Sequence, residues 1–313
     1  MNTIEASNID VTSVLTFQYI IYKYKLDRTP NDESMLNYIK ISDIFVKDTG
    51  IKNLHLINKE ILNKWKECLL TRVSHTSCNT YFRHIKALVK FAYDEGYIQS
   101  NPFIKFRNVA VYKTKFKCIS SSDVNKLIIF LNASDNTLPP TRFWILTIKM
   151  FYYTGIRLRQ FIGLTWADIN LEKGIISLKA EYSKTKREWD VPIHPNLIDE
   201  LKEFKNQTIC ACKKDDIEKH QAFNVTLFNQ NYSGKNMSRE QVSGFFRNLS
   251  KKSGIQVSTK RFRHRLATDL ANNNENMKVV QKLLGHANIS TTAGYIHVNI
   301  NDLQRVLKST TTI

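Results

Sequence analysis

Leu284-Gly285-His286-Ala287-Asn288-Ile289-Ser290-Thr291-Thr292-Ala293-Gly294-Tyr295-Ile296-His297-Val298 is the most informative run of this chain, because it sets a histidine nine residues before a tyrosine. That tyrosine is a candidate nucleophile. Working outward toward the N-terminus, Lys260-Arg261-Phe262-Arg263-His264 comes first, with Ala267-Thr268 just behind it. Tyr182-Ser183-Lys184-Thr185-Lys186-Arg187 follows in a hairpin-like stretch, and Thr154-Gly155-Ile156-Arg157 lies further upstream. Taken singly, each has a plain explanation: arginines form surface salt bridges, a Gly-His turn caps a helix, and exposed tyrosines are common. Their order and company carry the information.

The charge balance narrows the partner. Lys and Arg outnumber Asp and Glu by 46 to 28 in 313 residues, a net charge of +18. Such a balance argues for a polyanion, because neutralised phosphates release condensed counterions. The charge is placed and not spread: residues 1–62 hold seven basic and eight acidic side chains, whereas 63–118 hold eleven and three. A chain of this length can bury two ordinary cores, so two domains are expected. The five cysteines (Cys68, Cys78, Cys118, Cys210, Cys212) are odd in number and scattered, which predicts reduced thiols in the cytoplasm and no disulfide framework. Cys210-Ala211-Cys212 lacks the second ligand pair of a structural zinc motif, so no metal is expected. No apolar run approaches the roughly 18 residues a membrane-spanning helix needs, so a soluble protein is expected.

Local patterns are mostly helical. Residues 12–25 and 33–48 carry apolar side chains at helical spacing, the second with Met35, Leu36, Ile39, Ile44 and Phe45, and Asp48-Thr49-Gly50 supplies a stop. A helix from about Asn58 sets Ile61, Leu62, Trp65 and Leu69 on one face. The next, from Ser74 or Thr76 to Gly96, buries Tyr81, Phe82, Ile85, Leu88, Val89 and Ala92. It shows Arg83, Lys86 and Lys90 on another side, either a nucleic-acid face or an ordinary solvated one. From Ile104 to Lys117 the periodicity lapses, with five basic residues, Lys113, Lys115 and Lys117 among them, and no acid. This stretch reads as a basic linker along phosphate, ordered by its partner. Ser120-Ser121-Ser122-Asp123 offers an N-cap. Around Gly174, and again at Glu188-Trp189-Asp190-Val191-Pro192-Ile193, β-prone runs predict a small antiparallel sheet in a helical domain. The Asn- and Lys-rich segment 205–235 reads as a helix end plus loops.

In order, spacing and local context these motifs resemble the tyrosine recombinase (phage integrase) family. The resemblance spans nearly the whole chain from about residue 12, and five of six active-site positions carry the usual residue type. It implies a mainly α fold, with an N-terminal helical core-binding (SAM-like) domain at 10–105, a basic linker at 106–117, and an α+β catalytic domain with a small antiparallel sheet at 118–313. The two domains would clamp duplex DNA as a C shape. The activity implied is site-specific DNA recombination through a 3′-phosphotyrosyl intermediate, without metal, nucleotide or other cofactor. Ile300, Leu303, Val306 and Leu307 share one side of a short C-terminal helix. In relatives such a tail docks into a neighbouring protomer, giving a homo-tetramer on paired inverted-repeat core sites; packing back on its own domain is the alternative. The region before residue 10 reads as too short for a separate arm-binding domain, and the expected location is the cytoplasm, in association with the nucleoid.

The resemblance assigns roles that the chemistry supports. Breaking a phosphodiester without hydrolysis needs a protein nucleophile that keeps the bond energy, here Tyr295. A phenol with a pKa near ~10 needs cations to stabilise the developing charge. Arg157 and Arg263 present planar forks to non-bridging phosphate oxygens. Lys184 would protonate the leaving 5′-oxygen; Lys186 competes, and the Ser-Lys-Thr context favours Lys184. His286 would donate to a phosphate oxygen, while His264 is expected to be a buried buttress. Two positions depart from the family pattern. Lys260 stands where a histidine is usual, so an imidazole base is missing there although a lysine can still bind phosphate, and Gln160 stands where an acid is usual. These departures keep open a catalytically reduced DNA-binding protein of the same fold, and the shared nucleophile keeps open a type IB topoisomerase-like relaxing enzyme.

Overall fold

A computed structural model of the chain describes residues 15–111, 117–133, 140–183, 186–212, 217–272 and 276–293. It is mainly helical with one small antiparallel sheet, and it divides into two compact units, Met1–Thr114 and Lys115–Ile313. No helix among the described residues is long and apolar enough to cross a membrane.

The first unit is built from α1 (Phe17–Arg28), α2 (Asp32–Thr49), α3 (Lys59–Leu70) and α4 (His75–Asp94). Each starts at a polar cap whose side chain takes a backbone N–H of the first turn: Thr16, Asn31, Asn58 and Ser74. Thr16 is in extended conformation, so the first helix begins at Phe17 and runs to Arg28, later than the expected 12–25; residues 12–14 lie outside the described ones. On α2, Met35, Ile41 and Phe45 face inward, but Leu36 and Ile39 are 67% and 44% exposed. The core is a chain of edge-to-face rings, Phe17–Phe45 (5.4 Å), Phe45–Trp65 (4.8 Å) and Trp65–Phe82 (4.8 Å). The Trp65 indole N–H donates to Asp48 at 2.8 Å.

The stretch read as a linker is tied down by protein contacts in its first half. Phe106 stacks on Phe82 at 4.6 Å. The Asn79 side chain bonds both the carbonyl and the N–H of Val109, at 2.8 and 2.9 Å. Phe106 and Val109 thus pack against α4 although the sequence there shows no periodicity.

The second unit is centred on α6 (Thr141–Thr154), whose Phe143, Trp144, Ile148, Met150 and Phe151 are buried. Around it lie α5 (Ser121–Asn132), capped by Ser120, then α7 (Leu158–Gly163), α8 (Pro195–Cys212), α9 (Arg239–Ser253) and α10 (Thr259–Asn272). Trp144 and Phe245 stack in parallel at 3.8 Å. The sheet has strand order β1 (Ile169–Asn170), β2 (Ile175–Leu178), β3 (Trp189–Pro192), with Ile169 opposite Ile176 and Ile176 opposite Val191. Gly174, at φ +64°, makes the tight turn from β1 to β2. After α8 the chain forms loops and buries Phe223, held by Gln221, which donates to the carbonyls of Ile162 and Met237 and accepts from Met237 N–H. Finally α11 (Met277–Leu284) and α12 (Ile289–Ala293) follow, and Val280 and Leu284 pack with Ala267 and Ala271 of α10.

Candidate active site

Two glycine turns and one helix build the site. Helix α6 ends at Gly155 (φ +58°), and the chain re-enters helix α7 two residues later with Arg157 as its N-cap residue. The Arg157 backbone N–H donates to Gln160 Oε1 at 3.2 Å. Gln160 is 2% exposed, and its Nε2 has no hydrogen-bond partner among the described residues. It thus acts as a cap beneath Arg157, a task for which a carboxylate would serve equally, since both accept a backbone N–H. Helix α11 ends at Gly285 (φ +60°), which delivers His286.

The arginines tie these turns together. Arg263, in α10 and 9% exposed, donates through Nη1 to Gly155 O at 2.8 Å and through Nη2 to Leu284 O. Arg157 donates through Nη2 to Gly285 O at 3.3 Å, and its guanidinium lies 6.0 Å from the centre of the Trp189 ring. Three residues spread over 130 positions of sequence, Arg157, Arg263 and His286, are so brought to one place. Lys260 lies one turn before Arg263 on α10, exposed, and its charge reaches His264.

His286 is held at both ends. Its backbone N–H donates to Gln281 O at 3.0 Å, its carbonyl accepts from Gln281 Nε2 at 2.9 Å, and Nδ1 lies 2.9 Å from the Thr292 hydroxyl. Burial, then the charges of Arg263, Arg157 and His264, push its pKa down to about 4. The ring is therefore neutral at pH 7. When Thr292 donates to Nδ1 the proton sits on Nε2, from where it can reach a phosphate oxygen. Burial, followed by Lys260 and Arg263, also lowers the His264 pKa to about 4, and this residue is buried as a buttress of α10.

The remaining expected residues divide. Lys184 and Tyr295 lie outside the described residues, as do Lys113, Lys115 and the C-terminal segment with Ile300, Leu303, Val306 and Leu307. Lys186 is exposed at φ +50°. Arg83, Lys86 and Lys90 share the exposed side of α4, with Lys90 ion-paired to Asp94 at 2.7 Å, and Lys117 is exposed. Pattern reading missed a groove of about 590 Å³ on the first unit, lined by Lys59, Asn63, Lys66, Lys105, Phe106 and Arg107. Lys59, Asn63 and Lys66 share one face of α3, but no local pattern joins them to Lys105, Phe106 and Arg107, about 40 positions further along the chain. It also missed Thr292 and Trp189, whose partners are distant or off-pattern. Among the described residues no three His, Cys, Asp or Glu side chains are grouped to hold a metal.

Comparison with known proteins adds to this geometry. The phage integrase family matches residues 117–302, and the phage integrase SAM-like domain matches 16–108. A tyrosine recombinase XerC of Pseudomonas aeruginosa is 31% identical, covering 78% of this chain and 59% of that protein. The counterpart from Pseudomonas syringae is 29% identical, at 78% and 53%. The chain thus spans little more than half the length of these two relatives. The tyrosine recombinase XerC of Thermodesulfovibrio yellowstonii is 25% identical, at 88% and 85%. Among solved structures, the Tn1549 transposon integrase in complex with a circular intermediate DNA superposes with a TM-score of 0.75 at 18% identity, covering 94% of this chain and 99% of that one. A lambda integrase dimer bound to a COC′ core site gives 0.68 at 18%, covering 91% and 99%. Both report a shared fold. With its fold and with a family match over more than half its length, the chain belongs to the phage integrase family.

Proposed function

We propose that this protein is a site-specific DNA recombinase that cleaves and rejoins duplex DNA through a 3′-phosphotyrosyl intermediate, in integration and excision, resolution or inversion. The observation that carries the reading is the convergence of Arg157, Arg263 and His286 through the carbonyls of Gly155, Leu284 and Gly285. Those bonds hold both guanidinium groups against the turn that carries His286. A guanidinium has five donors, so holding carbonyls and gripping a phosphate are compatible.

In this reading Tyr295 attacks the scissile phosphorus, forming a P–O bond to the phenolic oxygen, whose proton passes to water, as the bond to the 5′-oxygen breaks. Arg157, Arg263 and Lys260 offset the charge on the pentacoordinate phosphorus, and neutral His286 donates from Nε2. Lys184 gives its proton to the departing 5′-oxygen. Residues 10–105 are the core-binding domain, 106–117 the basic linker and 118–313 the catalytic domain. The C-terminal helix joins protomers into a tetramer on paired inverted-repeat sites.

Tyr295→Phe removes only the hydroxyl, so binding to target DNA should persist while the covalent adduct on a nicked suicide substrate disappears from denaturing gels. An adduct formed by the Phe variant would overturn the nucleophile assignment.

A further inference from the structure

Two glycines of the second unit are each covered by an aromatic ring, and the two rings bracket one stretch of chain. A Cβ placed on Gly163, at the end of α7, would lie 2.3 Å from the Tyr182 ring. One placed on Gly285 would lie 2.2 Å from the Trp189 ring. Only glycine permits such approach of ring to backbone. In sequence, Tyr182 and Trp189 stand on either side of Lys184. Gly163 closes the helix that Arg157 opens, and Gly285 immediately precedes His286.

Trp189 makes two more contacts. Its indole N–H donates to Leu283 O at 3.3 Å, and its ring lies beside the Arg157 guanidinium, 6.0 Å from centroid to Cζ. That distance is the outer limit of cation–π attraction, so the ring serves as a wall behind the guanidinium more than as a ligand for it. Trp65, Trp144 and Trp166 fill the cores and are fully buried. Trp189 is only half-buried, and it lines a cavity of about 280 Å³ together with Arg187, Gln281, Gly285 and His286. A large side chain at the rim of the site, touching the turn before one site residue and the head group of another, is placed to set their separation.

We propose that Trp189 is a positioning residue for strand cleavage: it fixes the turn from Leu283 to His286 against β3 and backs the Arg157 guanidinium, so that both groups meet the same phosphate. The proposal rests on the recombinase reading. Trp189 acts through the phosphate-binding groups, not through leaving-group protonation, and the test separates the two.

The full chain carrying Trp189→Ala, Trp189→Leu or Trp189→Phe is compared with the unaltered protein by melting temperature, by gel-shift affinity for target DNA, and by single-turnover adduct formation on nicked duplex at saturating protein. The Ala and Leu variants should form adduct on the order of 10- to 100-fold more slowly, the cost of a small misplacement of reacting groups, while affinity stays within about twofold of the unaltered protein, since most contacts that position a protein on duplex DNA lie elsewhere. Phe keeps a ring over Gly285 and should recover most of the rate, whereas Leu, similarly apolar but not planar, should not. A substrate with sulfur in place of the bridging 5′-oxygen needs no proton on its leaving group, and it should fail to rescue Trp189→Ala. Rescue by sulfur would assign the defect to leaving-group protonation and overturn the proposal. So would a rate equal to that of the unaltered protein in Trp189→Leu, or a defect that vanishes at a temperature where the variant is fully folded. If the unaltered protein itself forms no adduct, the recombinase reading fails first and this inference falls with it.

Discussion

Arg157 donates from its guanidinium to the carbonyl of Gly285 at 3.3 Å across 128 residues of chain. The acceptor is the last peptide carbonyl before His286, so the side chain of one site residue sets the backbone of another. Arg263 repeats the device on the adjoining carbonyl, that of Leu284, and adds Gly155 on the opposite turn. A change at any one of these positions is therefore felt at the others, because a turn that loses its carbonyl partner is free to shift the residue it carries.

Arg263→Lys should show this coupling. Lysine keeps the charge but is a point donor, and it cannot span two carbonyls as the planar fork does. Losing such charge-assisted bonds costs about 1.5–3 kcal/mol, visible as a lower melting temperature. Adduct formation should fall by roughly 100-fold or more, as on removal of a transition-state donor. A variant that melts and cleaves like the unaltered protein would show that the carbonyl bonds position nothing.

The leaving group separates Lys184 from the arginines. Lys184→Ala should cleave ordinary duplex poorly and recover on the bridging-sulfur substrate, while Arg157→Ala should recover on neither. Rescue confined to Lys186→Ala would transfer the acid role to Lys186.

Two imidazoles, buried His264 and half-buried His286, make stability depend on pH. His264 and His286 titrate at about 4 in the folded protein, chiefly because burial disfavours their charged forms, against roughly 6.5 in an unfolded chain. Between these values the unfolded state holds more protons, so the stability they contribute is fully present above pH ~6.5 and is lost as pH falls toward 4. Thermal melts at stepped pH should show this decline, and His264→Gln with His286→Gln should flatten it. Identical slopes for the two proteins would refute the linkage.

The basic groove of the first unit should bind phosphate without reading sequence. Lys59, Lys66, Lys105 and Arg107 have no ion-pair partner among the described residues, whereas Lys90 of the α4 stripe is paired with Asp94. Neutralising Lys66 and Lys105 should weaken gel shifts uniformly across DNA sequences and reduce the salt slope by about one unit per lost contact. Neutralising Lys113, Lys115 and Lys117 should act in the same way. A change in sequence preference, or an unchanged slope, would exclude the groove from the phosphate contacts.

Much of the helical framework was legible because its signals are local. Asn58, Ser74 and Ser120 cap helices where the pattern predicts, and Gly174 turns between the strands it was expected to join. Errors arose where a neighbour decided the outcome. Leu36 and Ile39 are apolar at helical spacing yet exposed. The stretch 104–111 has no periodicity, so nothing in its pattern reveals that Asn79 and Phe82 hold it in place.

The sequence by itself determined the helical class, the small sheet, the family, and the types of residue set aside for phosphate chemistry, because these depend on spacing along one chain and on the order of short motifs. Tertiary structure decided how those residues are held: Arg263 on the carbonyls of Gly155 and Leu284, Thr292 on His286, Trp189 over Gly285, and Gln221 inside the second unit. The physical reason is that most of these contacts join groups far apart in sequence. Their distances and angles are set only when helices pack, and no local pattern records which carbonyl a buried guanidinium will meet or which ring will lie against a glycine.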